Sequence, residues 1–402
     1  MDIRSVTLFC DADFSLVRMA DFFTAVRTPF PYPLQSARLA LPPFPDWWPE
    51  KEPLFKQALA LVQKWQEAGA NYISLGPVLL RHDPIWLNRI SPLLAITDAL
   101  FATAEIADTQ GQIDTARCQL AAKLIKTVSL IEVENFGFGF GNLFLAALAN
   151  CPPGSPFFPV AYHQGGTPHF AIAVESADIA LQAIQSAKTL AEARQNLVDG
   201  IETAVAQLIP IAQKIAVEHN IGFSGIDFSL APFPTDDKSL GGALEALGLP
   251  YLGSAGSLFA AGFVTEAIAR ASFPSCGFSG LMLPVLEDSV LARRAAEGAL
   301  SVQDLLSYSA VCGVGLDTIP LPGHISEEAL TAVLLDVAML ASRLNKPLTA
   351  RLMPLPGLLA GDPVTFDFPY FADSRVMDIA GSGIKGLLAQ ETQLTINSIK
   401  RI

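Results

Sequence analysis

The chain has 402 residues, of which 51% are hydrophobic and only 16% charged, with 39 acidic against 26 basic side chains and a net charge of −13. Typical soluble domains carry about 25% charged residues, so the composition suits strands buried on both faces, read as continuous apolar runs in an α/β interior. The acidic balance and the lack of any dense Lys/Arg run make nucleic acid an unexpected partner.

Strand-like and helix-like segments alternate along the whole chain, which predicts a parallel or mixed α/β architecture and one domain spanning 1–402. Ile3–Phe9 reads as a strand. The stripe Leu54, Phe55, Ala58, Leu59, Val62 and Trp65 predicts a helix ending at Gly69, with a strand over Asn71–Leu75 after it. A helix is expected over Ile113–Val128, then the apolar run Leu143–Ala149. The run Asn135–Val174 lacks Asp, Glu, Lys and Arg, but its glycines and prolines leave no stretch near the roughly 20 residues of a membrane span. His169–Val174 predicts another strand. Thr189 and Glu192 have capping-box spacing ahead of a long helix that Pro210 is expected to kink or divide. Ser326 is the expected N-cap of a helix carrying Leu330, Val333, Leu334 and Val337, followed by a strand over Leu348–Met353.

The five cysteines are scattered without paired spacing, and no secretory signal opens the chain; both point to a reduced, cytoplasmic protein. The string Gly381-Ser-Gly-Ile-Lys-Gly386 matches GxGxxG but stands too near the end to open a dinucleotide-binding βαβ unit. Walker A, HExxH and GxSxG strings are absent, so no NAD, flavin or ATP is expected. The aromatic loop LPPFPDWWP around Trp47 and Trp48 is expected to bury its surface in a homodimer.

Two segments echo each other: GIDFSLAPFP at Gly225–Pro234 and GLDTIPLPG at Gly315–Gly323. Duplication and coincidence explain so short a match equally well. Asp227 and Asp317 each end a strand-like run before a proline-rich exit, and Glu175, Glu287 and Asp288 close other runs. Gathered at one rim, such carboxylates can hold Mg²⁺ or Mn²⁺ or share a proton; the alternative is that each accepts hydrogen bonds from loop N–H groups. His163, beside Tyr162 in a Gly-rich loop, is a candidate acid-base group. Cys312, near an expected helix end, is a candidate nucleophile or inert filling. Arg351 lies in an apolar strand and is expected to pair with a carboxylate or a bound anion. The predicted site therefore has His163, Asp227, Asp317 and Cys312 as catalytic candidates and Tyr162, Glu175 and Arg351 as substrate contacts. His163, Asp227 and Asp317 are expected on one pocket wall.

Four segments, SPFFPVAYH from Ser155, GIDFSLAPFP from Gly225, GFSGLMLPVLED from Gly277 and VCGVGLDTIPLPG from Val311, resemble the domain of unknown function 711 family. That resemblance implies a large barrel of about ten strands with surrounding helices and inserted loops, similar to pyruvate formate-lyase-like proteins, and it implies no particular activity. The family pattern ends PGD where this chain has His324 after Gly323, and no glycyl-radical loop is present. Composition and motifs together suggest an enzyme acting on a small polar metabolite by carboxylate/His acid-base or metal-assisted chemistry, of hydrolase or lyase type. A non-catalytic protein binding a small-molecule ligand is the alternative.

Overall fold

The computed structural model describes residues 1–48 and 54–399, without the side chains of Leu54 and Phe55. Its strands are β1 (Asp2–Phe9), β2 (Ala37–Ala40), β3 (Tyr72–Val78), β4 (Leu100–Ala107), β5 (Gln112–Asp114), β6 (Leu145–Ala149), β7 (His169–Glu175), β8 (Gly222–Ala231), β9 (Gly315–Pro322) and β10 (Leu348–Leu355). They hydrogen-bond in the order β8-β7-β1-β2-β3-β4-β6-β10-β9, with β5 hanging from β4 and pairing Gln393–Thr395.

Parallel neighbours need long crossovers, and helices supply them. Leu16–Val26 links β1 to β2, Thr115–Ser129 links the β4–β5 end to β6, Leu190–His219 precedes β8, and Glu327–Leu344 joins β9 to β10. The strands β1, β2, β3, β4 and β6 run parallel. The pairs β7–β8 and β9–β10 are each internally parallel but antiparallel to the neighbour they join, β1 and β6. Every residue of β4, β6, β9 and β10 is buried. This is the two-sided burial that the apolar composition demands. One hydrophobic cluster runs from Ile3 to Ile379.

The expected closed barrel is not drawn by the ladder. β8 and β9 do not pair with each other, and the chain between them, residues 275–285, makes only isolated parallel bridges, Ile226 with Ser275 and Pro284 with Asp317. Further backbone bonds, Met282 N–H to Ser229 and Gly313 N–H to Leu281, hold it in place. The cause is local: Gly277 and Ser279 adopt positive φ (62° and 37°), and Pro284 has no N–H to donate, so a continuous ladder cannot form. The result is a mixed, mostly parallel sheet whose two ends are bridged by irregular chain.

The helix containing Pro210 is not divided; it runs unbroken from Leu190 to His219. Leu197, Ile201, Val205 and Leu208 before the proline and Ala212 and Ile215 after it are buried, so packing offsets the roughly 3 kcal/mol that an interior proline costs. Thr189 caps this helix as its spacing predicted, and Ser326 caps Glu327–Leu344. The strands β2 and β4 were not evident from periodicity. Trp48 is buried, and Trp47 packs tilted against Trp48 and edge-on to Trp65 and donates to the Pro42 carbonyl. Hence the loop from Leu41 to Trp48 packs its tryptophans within the chain; Pro49, its last predicted residue, lies outside the described residues. Among the described residues no helix is long and apolar enough to cross a membrane.

Candidate functional site

Three positions where the strand register slips create the site. Between β1 and β7 the register shifts across Ile3 and Ser5, leaving Arg4 as the extra residue. Between β10 and β9 it shifts across Ala350 and Leu352, the position of Arg351, opposite Asp317 and Thr318. Between β7 and β8 it shifts after Ala173 and Asp227. Bulges re-aim side chains that a regular pleat would hold in alternation. Thr318 (φ 45°) and Leu230 (φ 48°) carry the backbone strain at two of these slips, a conformation rare for such residues.

The side chains so turned meet at a cavity of about 150 Å³, comparable to engineered cavities that admit benzene. Its polar wall includes Arg4, Arg38, Asp227, Ser229, Glu287 and Arg351. Its apolar wall is aromatic, with Phe101 edge-on to Tyr72, Phe144 and Phe158 at centroid separations of 5.6, 5.2 and 5.2 Å. Edge-to-face contacts of this kind fix ring orientation.

The charges form a ladder. Arg351 donates through Nη2 to Glu287 at 2.8 Å and through Nε to Asp317. Arg4 bonds the other oxygen of Glu287 and lies 3.6 Å from Glu175. Glu175 also accepts from Gln35 at 2.8 Å and pairs with Lys238 at 3.3 Å. Burial pushes the Glu287 carboxyl up, but Arg4 and Arg351 outweigh it and hold the pKa below its ordinary value. Asp317 goes the other way: burial, reinforced by repulsion from Glu287, raises its pKa against the pull of Arg351. Two carboxylates sharing one guanidinium split in this manner.

Asp227 is also raised by burial, opposed by its hydrogen bonds. It accepts from the Phe278 and Ser279 N–H groups at 3.0 and 3.1 Å and from the Ser229 hydroxyl. Its carboxylate thereby fastens residues 275–285 to β8, the loop-bonding alternative set out for it above, while still facing the cavity.

The other candidates are elsewhere. His163 is not on the cavity wall, so the expected convergence of His163 with Asp227 and Asp317 is not seen, and Asp317 stands behind Arg351 rather than on the wall. The His163 ring is buried 5.2 Å from that of His169 and 3.8 Å from Asp11. Burial and the neighbouring His169 lower its pKa. The Tyr162 hydroxyl donates to the Cys151 carbonyl at 3.1 Å. Cys312 is packed in the hydrophobic cluster, away from the cavity wall. Among the described residues no group of three or more His, Cys, Asp and Glu side chains is arranged to hold a metal ion. Arg4 and Arg38 were missed in the sequence, although a charge within an apolar strand, the signal used for Arg351, is present at both.

Beside Tyr162, away from the cavity wall, lies a further perturbed carboxyl. Glu105 on β4 accepts from the Leu80 N–H at 2.6 Å, and burial pushes its pKa from 4.5 up to about 7. An acid with a raised native pKa binds its proton more tightly folded than unfolded, so stability falls as pH rises from about 4.5 to about 7. Glu105→Gln is expected to flatten that fall and to raise stability at pH 8 by about 1–3 kcal/mol. Urea midpoints of both proteins from pH 4 to 8 check this.

Residues 1–367 match the family model described as Uncharacterised ACR (DUF711). The chain is 31% identical over 285 residues to a UPF0210 protein of Pyrobaculum arsenaticum, a match covering 69% of this chain and 61% of the relative. It is 33% identical over 291 residues to one of Pyrobaculum aerophilum, covering 70% and 63%, so the match spans under two thirds of either relative. A UPF0210 protein of Thermoanaerobacter sp. is 28% identical over 370 residues, 88% of this chain and 80% of the relative. With a family match from its first residue to Asp367, the chain belongs to the DUF711 family.

Proposed function

We propose that the protein is an enzyme acting on a small polar metabolite in the cavity by carboxylate acid-base chemistry of hydrolase or lyase type. The observation that carries this reading is a pair of carboxyls on one cavity wall whose environments push them apart: Asp227 upward by burial, Glu287 downward by Arg4 and Arg351. Paired groups shifted in opposite directions are how one site keeps an acid and a fixed negative charge together at neutral pH. In this reading Asp227 gives and takes the proton, and Glu287 stays ionised and orients the arginines. The pairs β7–β8 and β9–β10, bridged by residues 275–285, support a barrel-like enclosure of the kind that the family resemblance implied.

A non-catalytic binder is the second reading, favoured by the three donors that already occupy the Asp227 carboxylate. Turnover of a panel of small organic acids and their esters and amides, followed by NMR, separates the two. Asp227→Asn, assayed well below its melting temperature, is expected to lower kcat by at least about 100-fold, in the range of a lost acid-base group, with KM little changed. Saturable binding by the wild type without turnover of any compound would establish the binder instead.

A further inference from the structure

Of the arginines on the cavity wall, two make direct ion pairs with carboxylates, while Arg38 makes none among the described residues and feels Glu287 only at longer range. Arg4 is paired with Glu175 and Glu287, and Arg351 with Glu287 and Asp317. Arg38 has no carboxylate partner among the described residues; its Nε donates to the Ser36 hydroxyl at 2.9 Å, and Ser36 in turn donates to the Arg4 carbonyl. Its guanidinium lies over the rings of Phe158 and Tyr72, 5.1 and 5.9 Å from their centroids. The strand register makes the placement firm, since Arg38 of β2 is aligned directly with Tyr72 of β3. The guanidinium is thus held through Nε and by two aromatic faces on the wall of the cavity that it lines.

A guanidinium in a low-dielectric wall without a directly paired counter-charge is unfavourable, and its planar fork matches the two oxygens of a carboxylate or phosphate. We infer that Arg38 receives the anionic head, carboxylate or phosphate, of a ligand whose flat apolar body lies against the Phe101, Phe144 and Phe157 wall. This rests on the reading of the cavity as a ligand site and names the class of molecule that the site takes.

The test titrates benzoate, phenyl phosphate and neutral benzamide into the wild type, Arg38→Met and Arg351→Met, following melting temperature and binding heat. Wild-type protein is expected to bind one of the two anions at least tenfold more tightly than benzamide, with Arg38→Met losing that preference while melting no lower than wild type. Preference for benzoate assigns a carboxylate head and preference for phenyl phosphate a phosphate head. Equal binding of benzamide, or anions held as tightly by Arg38→Met, would overturn the anion assignment and leave the cavity reading standing. A fall in melting temperature for Arg38→Met as large as that of Arg351→Met would mark Arg38 as a structural ion and also overturn it. Failure of all three compounds to bind at millimolar concentration would overturn the inference about Arg38, while turnover of the metabolite panel decides the enzyme reading separately.

Discussion

Replacing Arg351 by methionine is expected to lower the free energy of unfolding by about 3–5 kcal/mol. Both of its partners are buried, and nothing else on the described chain can take its place at Asp317, whose second oxygen already lacks a hydrogen-bond partner. The loss therefore strands a carboxylate in the interior. Glu287 would keep Arg4, so the main cost falls at Asp317, which is expected to take up a proton. Stability of the variant should then recover partly as pH falls toward 5, the reverse of ordinary acid denaturation. The double variant Arg351→Met with Asp317→Leu should regain much of the loss, because removing both charges is far less costly than removing one. Urea unfolding of the two variants at pH 5 and 8 checks this; a loss below about 1 kcal/mol for the single variant is the value for an exposed pair and would contradict a buried one.

Gly277→Ala is expected to cost about 2–4 kcal/mol, from adopting positive φ with a side chain and from displacing hydrogen bonds. Gly277 sits at φ 62°, and a methyl group there would collide with the Asp227 carboxylate. That carboxylate has no room to swing, since two backbone N–H groups and the Ser229 hydroxyl fix it. Residues 275–285 should loosen between β8 and β9, and ligand binding in the cavity should fall with them. Gly166→Ala provides the control: φ is 91° and nothing lies within 4 Å of the added atom, so only the backbone cost of about 1–2 kcal/mol applies. Guanidinium unfolding of both variants measures the difference, and equal losses would mean that the contact with Asp227 contributes nothing.

Some of the site could be seen in the residues themselves. Arg351 announced its ion pair because a charge within Leu348–Met353 has no tolerable alternative, and the structure supplies Glu287 and Asp317. The echo of GIDFSLAPFP and GLDTIPLPG corresponds to β8 and β9, the two ends of the sheet path, each bridged to residues 275–285. The position of His163 could not be read from its loop, because a histidine in a Gly-rich aromatic segment looks the same in sequence whether its ring faces the cavity of Asp227 or, as here, His169. Glu175 was found for one reason and works through another, holding Arg4, Gln35 and Lys238 from behind the wall.

The residues alone carried the α/β class, the strands β1, β3, β7 and β10, four of the longer helices, the caps at Thr189 and Ser326, and the need for Arg351 to find a counter-charge. These follow from periodicity, local hydrogen bonding and the cost of burying a charge, all of which act within a few residues. Long-range packing settled which strands neighbour one another and that Arg4, Arg38 and Arg351 face one cavity. The placement of Arg4 and Arg351 depends on register slips at those residues, where an extra residue in one strand reverses the face a side chain points to. A slip is fixed by the partner strand, which lies tens or hundreds of residues away along the chain.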